Sequence, residues 1–567
     1  MNNRASTHLL LLLVIVGLEI AGYVAVREAA VLRGYEPPLV GAVRDLLLFV
    51  PLIALVLWLT RTTKFVGEWS IYTAAILLFA VGMLAQYRLY GDPEYNSRNK
   101  SEARAEKTQT LRLRYIDQYY DAEKKRMMGL LNATPASTSA PEIRRSNYTV
   151  GSVLTSTYTW VPLFAFFAFA VAYRFCIGDA FLLWLQKHSF IIVLLTLVPL
   201  VAAVATSSAG KSLGNMTPWE PSKIPFLVGF AGLLTARYKD LAQTYWGVPR
   251  ARDGVPLIVM ALIPFIPFFA LKDFGQMLVF SGAYATLYLV AVRRWPQLLL
   301  FVGTVLLAVG VLVVGALPQN VQEQVPLLPT LSRPVQAILP NRIQQRFHLW
   351  LDGFDPPAPD TSWWRRDYNE ALAGNPRMKE LAEQSPAMQR TVNVDVWFDR
   401  IAFQPAQATF GLVAGRTTGR GLGLSFAEVI PVADSDYIYA AIGEELGLGG
   451  GLLIVLALVV LTVGGVRTSI EARDMFTKLC AAGLTAFIIL QAAVNIGGVT
   501  RALPMTGITL PFVSHGGFSL ITSFAMLGML LAFSHRNRRD RQDAARVLGR
   551  PAASPVRRED FGPEAVQ

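Results

Sequence analysis

Apolar runs of about twenty residues, long enough to cross roughly 30 Å of hydrocarbon, recur along this chain between short polar breaks. They fall near 8–26, 40–60, 70–90, 158–175, 188–206, 222–237, 255–271, 274–292, 297–316, 437–465, 477–499 and 511–534. The pattern predicts an all-α polytopic membrane protein with about twelve transmembrane helices: three N-terminal spans within 1–90, a bundle over 158–316 and a C-terminal set over 436–534. Two long polar segments interrupt it. Residues 91–157 are charged, end in a Ser/Thr-rich stretch and are expected to form a partly ordered loop with short amphipathic helices around Arg112–Lys125. Residues 317–435 carry prolines, paired charges and the tryptophans Trp350, Trp363, Trp364 and Trp397, so part of this large loop is expected to pack as a cap on the membrane mouth.

Composition agrees with the pattern. Of 567 residues, 53% are hydrophobic and only 16% charged, and the mean hydropathy is +0.39, more apolar sequence than a soluble core needs. The net charge of +12 takes its meaning from its distribution. With the N-terminus cytoplasmic, Arg61, Lys64, Arg237, Lys239, Arg250, Arg252, Arg293, Arg294, Arg467 and Arg473 share one side with a C-terminal tail that begins His535-Arg-Asn-Arg-Arg-Asp-Arg. Such one-sided charge orients a membrane protein, so the basic balance does not call for nucleic acid. Both termini are then cytoplasmic, both long loops lie outside, and residues 535–567 read as a disordered tail. The first apolar run lacks a small-residue cleavage pattern and reads as a retained helix. Two cysteines, Cys176 and Cys480, suggest neither a disulfide framework nor a thiolate metal site.

Charge at the membrane mouth marks the candidate chemistry. Between Gly419 and Gly447 stand Asp434, Asp436, Glu444 and Glu445, where the large loop meets an apolar run. Acidic groups so placed are costly unless paired or wet, which makes them a functional candidate. The plainer alternative is one helix cap, from Asp434 or Ser435, and one glutamate held by a neighbouring helix. Further on, Thr500–Ser519 concentrates prolines, glycines and hydroxyls at membrane depth, a pattern tolerated where backbone is buried in protein or lines a wet cavity. Arg501 is then a cation at that cavity's mouth.

These segments carry a resemblance. Gln404-Pro-Ala-Gln407, Gly419-Arg-Gly421-Leu-Gly423, Pro431, Asp436-Tyr-Ile-Tyr and Gly443-Glu-Glu-Leu-Gly447 resemble the SEDS family (FtsW and RodA). So do Asn495-Ile-Gly, Leu503-Pro-Met-Thr-Gly507, Leu510-Pro-Phe-Val-Ser514 and Gly516-Gly517, with weaker matches at Glu220-Pro221-Ser222 and Asp273-Phe-Gly275. The ordered motifs span about residues 215–534. The chain departs from the family where Pro431-Val-Ala-Asp434-Ser-Asp436 lacks a glutamate and a histidine, where His515 replaces a tyrosine, and where Lys211–Trp219 shortens a loop. Roughly forty extra residues also precede Gln404.

The resemblance implies a membrane glycosyltransferase that polymerises lipid II into peptidoglycan strands in cell elongation or division. It also implies a bacterial inner-membrane location and a class B penicillin-binding transpeptidase as partner. It places the catalytic aspartate in the large loop, where Arg346-Phe-His-Leu-Trp-Leu-Asp352-Gly-Phe-Asp355-Pro356 resembles the family's acidic run; Asp355 is the first choice, with Asp399 and Asp352 as alternatives. Glycosyl transfer from a diphosphate needs one carboxylate base and cations for the leaving group. Lys211, Lys272, Arg416, Arg420 and Arg501 are candidate cations, and Gln404, Gln407, Asp436, Glu444, Ser514 and His515 complete the expected substrate site. A divalent cation, Mg or Mn, held by Asp273, Asp436 or Glu444 could share the duty. The rival readings are a lipid-linked precursor flippase or transporter, with the acidic helix binding a coupling ion, and a catalytically inactive scaffold for a transpeptidase.

Overall fold

The computed structural model describes residues 3–92, 95, 144–145, 150–208, 219–245, 248–249, 252, 260, 265–271, 273–292 and 341–547. Helix dominates it. The first three long helices are α1 (Asn3–Leu32), α2 (Leu39–Thr62) and α3 (Trp69–Gly91), followed by α4 (Thr157–Cys176). A broken run follows, α5 (Asp179–Lys187), α6 (Ser189–Leu195) and α7 (Leu197–Ser208), bent by 75° after Lys187. Next come α8 (Trp219–Ala242) and α9 (Phe274–Val292). Among the described residues, eight helices are long and apolar enough to cross a membrane, nine if the bent run is one span. The expected spans at 255–271 and 297–316 lie mostly or wholly outside the described residues, and α8, though long, is not among the eight.

Between the two sets of long helices stands a helical cap: α10 (Asn341–Leu351), α11 (Arg365–Gly374), α12 (Pro376–Gln384), α13 (Pro386–Trp397) and α14 (Phe403–Gly415), with a π-turn at Phe398–Ala402. Local sequence sets its corners. Asn375 and Ser385 cap α12 and α13, accepting from Met378 N and Met388 N, and a proline follows each cap where a helix has no use for the missing N–H. The cap has its own core of Leu349, Trp364, Tyr368, Val392, Val396 and Trp397. The Trp364 indole donates to Asn393 at 2.8 Å, as a buried indole N–H requires.

The C-terminal helices α15 (Ile438–Glu471), α16 (Met475–Val499) and α17 (Gly517–Val547) complete the bundle, α17 packing along α4 and α15 against α3 and α16. Two expectations need correction here. The last helix starts at Gly517, because Pro511–Gly516 is irregular, and it runs to Val547, thirteen residues past the predicted end of the span. Ion pairs hold that extension: Arg536 with Asp179 (2.9 Å) and Asp474 (3.5 Å), and Arg538 with Glu68 and Glu471. The beginning of the sequence-predicted tail is therefore ordered helix; residues 548–567 lie outside the described residues. Residues 112–125 of the first long loop lie outside them too.

Candidate active site at the membrane mouth

The segment from Gly415 to Gly447 is built around a break in α15. Gly447 has φ 63° and ψ −156°, which interrupts the helix and leaves the carbonyls of Glu444 and Glu445 without their usual helical donors. The preceding loop supplies them: Arg420 N donates to Glu444 O at 3.0 Å and Gly421 N to Glu445 O at 2.9 Å, while Leu448 N donates to Arg416 O. Such a close approach of two backbones leaves no room for a Cβ. One on Gly419 (φ 79°) would collide with the Glu445 carbonyl, and one on Gly447 with Gly419 N. The clustered glycines therefore form a clasp that fixes where the two glutamates point.

Both glutamates are buried. Glu444 accepts from Phe426 N at 3.3 Å, and Glu445 pairs with Arg88 (3.0 Å) and accepts from the Ser425 hydroxyl. Arg88 also binds Glu428 (2.7 Å), Asp92 (3.1 Å) and the Ser425 carbonyl, and Arg33 joins through Glu428 and Asp92. Burial alone would raise the Glu428 carboxyl, but Arg88 and Arg33 outweigh it and hold it below its ordinary value. Arg33, Arg88, Asp92 and Glu428 are functional-site neighbours that sequence reasoning missed. Arg88 and Asp92 stand four residues apart at the end of α3, but Arg33 and Glu428 come from distant parts of the chain, so no motif joins the four.

Asp434 serves a different contact. Its carboxylate accepts from the Tyr90 and Tyr95 hydroxyls, and its carbonyl accepts from His515 N at 2.8 Å. Neither Asp434 nor Ser435 caps α15, whose N-cap is Tyr437 without a side-chain bond. Ser514 donates to the Ser435 carbonyl (2.6 Å) and accepts from Leu510 N, and the His515 ring stacks on Tyr158 at 3.7 Å. Burial pushes the His515 imidazole down to about 4. Ser514 and His515 thus pin the loop, and neither lines the cleft at Asp355.

The irregular chain after α16 is buried through Ile508–Val513, yet its carbonyls find partners. Asn495 donates to Ile508 O and Asp436 O, Gln491 to Thr509 O, and Gln86 to Val513 O. Side-chain amides from two helices replace the water that membrane depth denies this backbone.

Arg346, on α10, donates to Thr506 O at 3.3 Å, and its positive charge acts on both Asp273 and Asp436. Burial raises both carboxyls, Asp273 to about 6, while Arg346 works in the opposite direction. Glu444 lies away from them, against Gly411 and Phe426 N. Among the described residues no three His, Cys, Asp or Glu side chains are placed to hold a metal ion. The expected trio of Asp273, Asp436 and Glu444 is thus not brought together as one set of ligands among the described residues.

Two residues beyond Arg346 on the same helix, His348 organises the acidic run. Its Nδ1 faces the Asp352 carboxylate at 2.9 Å and its Nε2 donates to the Asp355 carbonyl at 3.0 Å. Burial lowers the imidazole and raises the Asp352 carboxyl, while the charge of each partner works in the opposite direction. Arg501 braces the same turn: it donates to Leu349 O at 3.1 Å, its guanidinium lies 4.9 Å from the Phe354 ring centroid, and its carbonyl accepts from the Trp350 indole. Asp355, past the turn, lines a cleft of about 350 Å³ with Pro357, Gln389, Arg390 and Asn393.

The remaining candidates divide. Asp399, Gln404, Arg416 and Arg420 are exposed, and Arg420 stands over the Phe426 ring. Gln407 is fully buried, and its side-chain amide has no hydrogen-bond partner among the described residues. Lys211 and Lys272 lie outside the described residues.

Long apolar helices around a buried irregular segment, with a carboxylate-bearing helical cap at one end, define a polytopic helical membrane protein with a polar site at its mouth. Its residues 391–539 match the model of the FtsW/RodA/SpoVE family, described as cell cycle protein, which bears out the resemblance read from the motifs. The peptidoglycan glycosyltransferase RodA of Mycobacterium tuberculosis is 28% identical over 330 residues, 57% of this chain and 56% of that one. Stage V sporulation protein E of Bacillus subtilis is 38% identical over 152 residues, 26% of this chain and 42% of that one. The chain thus spans little more than half the length of the curated RodA relatives it matches. A solved RodA structure from Thermus thermophilus aligns with 83% of this chain and 97% of that one, at 14% identity and a TM-score of 0.36.

Proposed function

We propose that this protein is a peptidoglycan glycosyltransferase that polymerises lipid II, with Asp355 as general base. The observation that carries the reading is the placement of Asp355 on an open cleft, while its neighbour Asp352 is engaged by His348. A sugar hydroxyl attacks the anomeric carbon of the polyprenyl-diphosphate donor. The new C–O bond forms as the bond to the diphosphate oxygen breaks, the bonding pair leaves with the diphosphate, and the hydroxyl proton passes to Asp355. Diphosphate needs no acid to leave, only cationic surroundings. Arg346 and Arg501, which donate to Thr506 O and Leu349 O, are assigned that role in this reading. The buried amide of Gln407 fits a role in holding substrate. No step is assigned to a divalent cation.

In this reading the protein sits in the bacterial inner membrane with both termini cytoplasmic and the cap outside, and works with a class B penicillin-binding transpeptidase. The one-sided Arg and Lys in the short loops support the orientation. The names of the curated relatives support the activity. Purified protein given labelled lipid II is expected to form polymer, and Asp355→Ala to abolish it with the fold intact. Unchanged polymerisation by that variant would move the base to Asp399 or elsewhere. A wild-type protein that makes no polymer, alone or with its transpeptidase, would favour transport or scaffolding instead.

A further inference from the structure

The cleft at Asp355 has a second wall. Asp355 and the proline-rich turn after it form one side, and the first turns of α13 form the other, with Gln389 and Arg390 among its lining residues. The distance between the walls is fixed by Asn393, a buried side chain that donates to Pro357 O at 2.8 Å and accepts from the Trp364 indole at 2.8 Å. The prolines add backbone stiffness, so the cleft is preformed. Helices α11 and α12 and the start of α13 precede residue 391, where the stretch that matches the family model begins.

Charge says what the wall suits. Arg366 and Arg400, exposed on the same cap, each have Glu370 as a partner, whereas Arg390 makes no ion pair or side-chain hydrogen bond among the described residues. A guanidinium presents a planar fork of donors matched to a carboxylate or phosphate, and a neighbouring amide can serve a hydroxyl or N-acyl group. A cleft of about 350 Å³ lies at the small end of the range for ligand sites and has room for one substituted sugar. Resting on the glycosyltransferase reading, we propose that Arg390 and Gln389 form a specificity subsite for an anionic group, carboxylate or phosphate, of the acceptor molecule whose sugar hydroxyl meets Asp355.

The test is steady-state polymerisation by the full-length protein, with lipid II and with lipid II whose stem-peptide carboxylates are amidated. Arg390→Gln is expected to raise KM about tenfold while kcat stays within about twofold, with Arg390→Lys intermediate and an unchanged melting midpoint. If a carboxylate is the anion, amidation raises the wild-type KM by the same factor and Arg390→Gln adds nothing. If a phosphate is the anion, amidation leaves the wild-type KM unchanged and the variant's loss persists on both substrates. A variant with wild-type KM on both substrates overturns the subsite while leaving the activity standing. Should the wild type make no polymer, the activity fails separately, and the subsite is then decided by binding of labelled lipid II: equal affinity of wild type and Arg390→Gln overturns it, and a loss of about tenfold supports it.

Discussion

At the scale of single residues, two titratable groups near the mouth work against each other. His515 is held down to about 4, so between pH 4 and 6.5 the unfolded chain binds more protons at this site than the folded one. Its contribution to stability is therefore present above pH 6.5 and is lost as pH falls towards 4. Asp273, raised to about 6, has the reverse sign: burying its ionised form lowers stability as pH rises from about 4 through 6. His515→Asn is expected to remove the first dependence and leave the second. Melting midpoints in detergent should then fall with rising pH over pH 4–6 more steeply in the variant than in the wild type. An unaltered profile would mean that the ring is not buried neutral against Tyr158.

At the scale of elements, the clasp between the Gly415–Gly423 loop and the break at Gly447 aims the acidic helix. Gly447 has a backbone conformation that a side chain adopts only with strain, and Gly419 faces the Glu445 carbonyl with no space for a methyl group. Gly419→Ala should therefore cost at least ~2 kcal/mol of stability. It should also lower polymerisation by displacing Glu444 and Glu445, although residue 419 lies outside the cleft at Asp355. Gly449, with nothing within 4 Å of an added Cβ, is the control, since Gly449→Ala should be close to neutral. Equal effects at the two positions, in melting and in polymer yield, would refute the clasp.

At the scale of the whole molecule, Arg88 ties the N-terminal helices to the family-matched segment. It is almost completely buried and touches Glu428, Glu445, Asp92 and the Ser425 carbonyl, so one side chain on α3 secures three stretches of chain. Removing one member of such a set leaves buried charges uncompensated, which costs ~3–5 kcal/mol. Arg88→Met should lose that much in thermal or denaturant unfolding, and a loss under ~1 kcal/mol would show that water reaches the network. The far end of the bundle is tied similarly but in wetter surroundings, where Arg538 joins Glu68 and Glu471. Each of those pairs should contribute less.

The division between sequence and tertiary structure follows from the range of the forces involved. Apolar runs of membrane-spanning length are a local property, so the helical, polytopic class and the positions of α1 to α4, α9, α15 and α16 were legible from hydropathy alone. Prolines and glycines are local too, and they marked Thr500–Ser519 as broken chain before its carbonyl partners were known. The start of α17 was misplaced because Pro511–Val513 is as apolar as a helix, and its end was misplaced because ion pairs with α15 and the α2–α3 loop hold a charged stretch that hydropathy assigns to solvent. The acidic residues of 434–445 were visible as a cluster, yet only the fold separated them: Asp434 goes to tyrosines, Asp436 towards Arg346, Glu445 to Arg88, and Glu444 to a backbone N–H. Sequence spacing cannot reveal such partners, because electrostatic pairing is decided by distances in space, and Arg33, Arg88 and Arg346 come from segments far from the cluster in the chain.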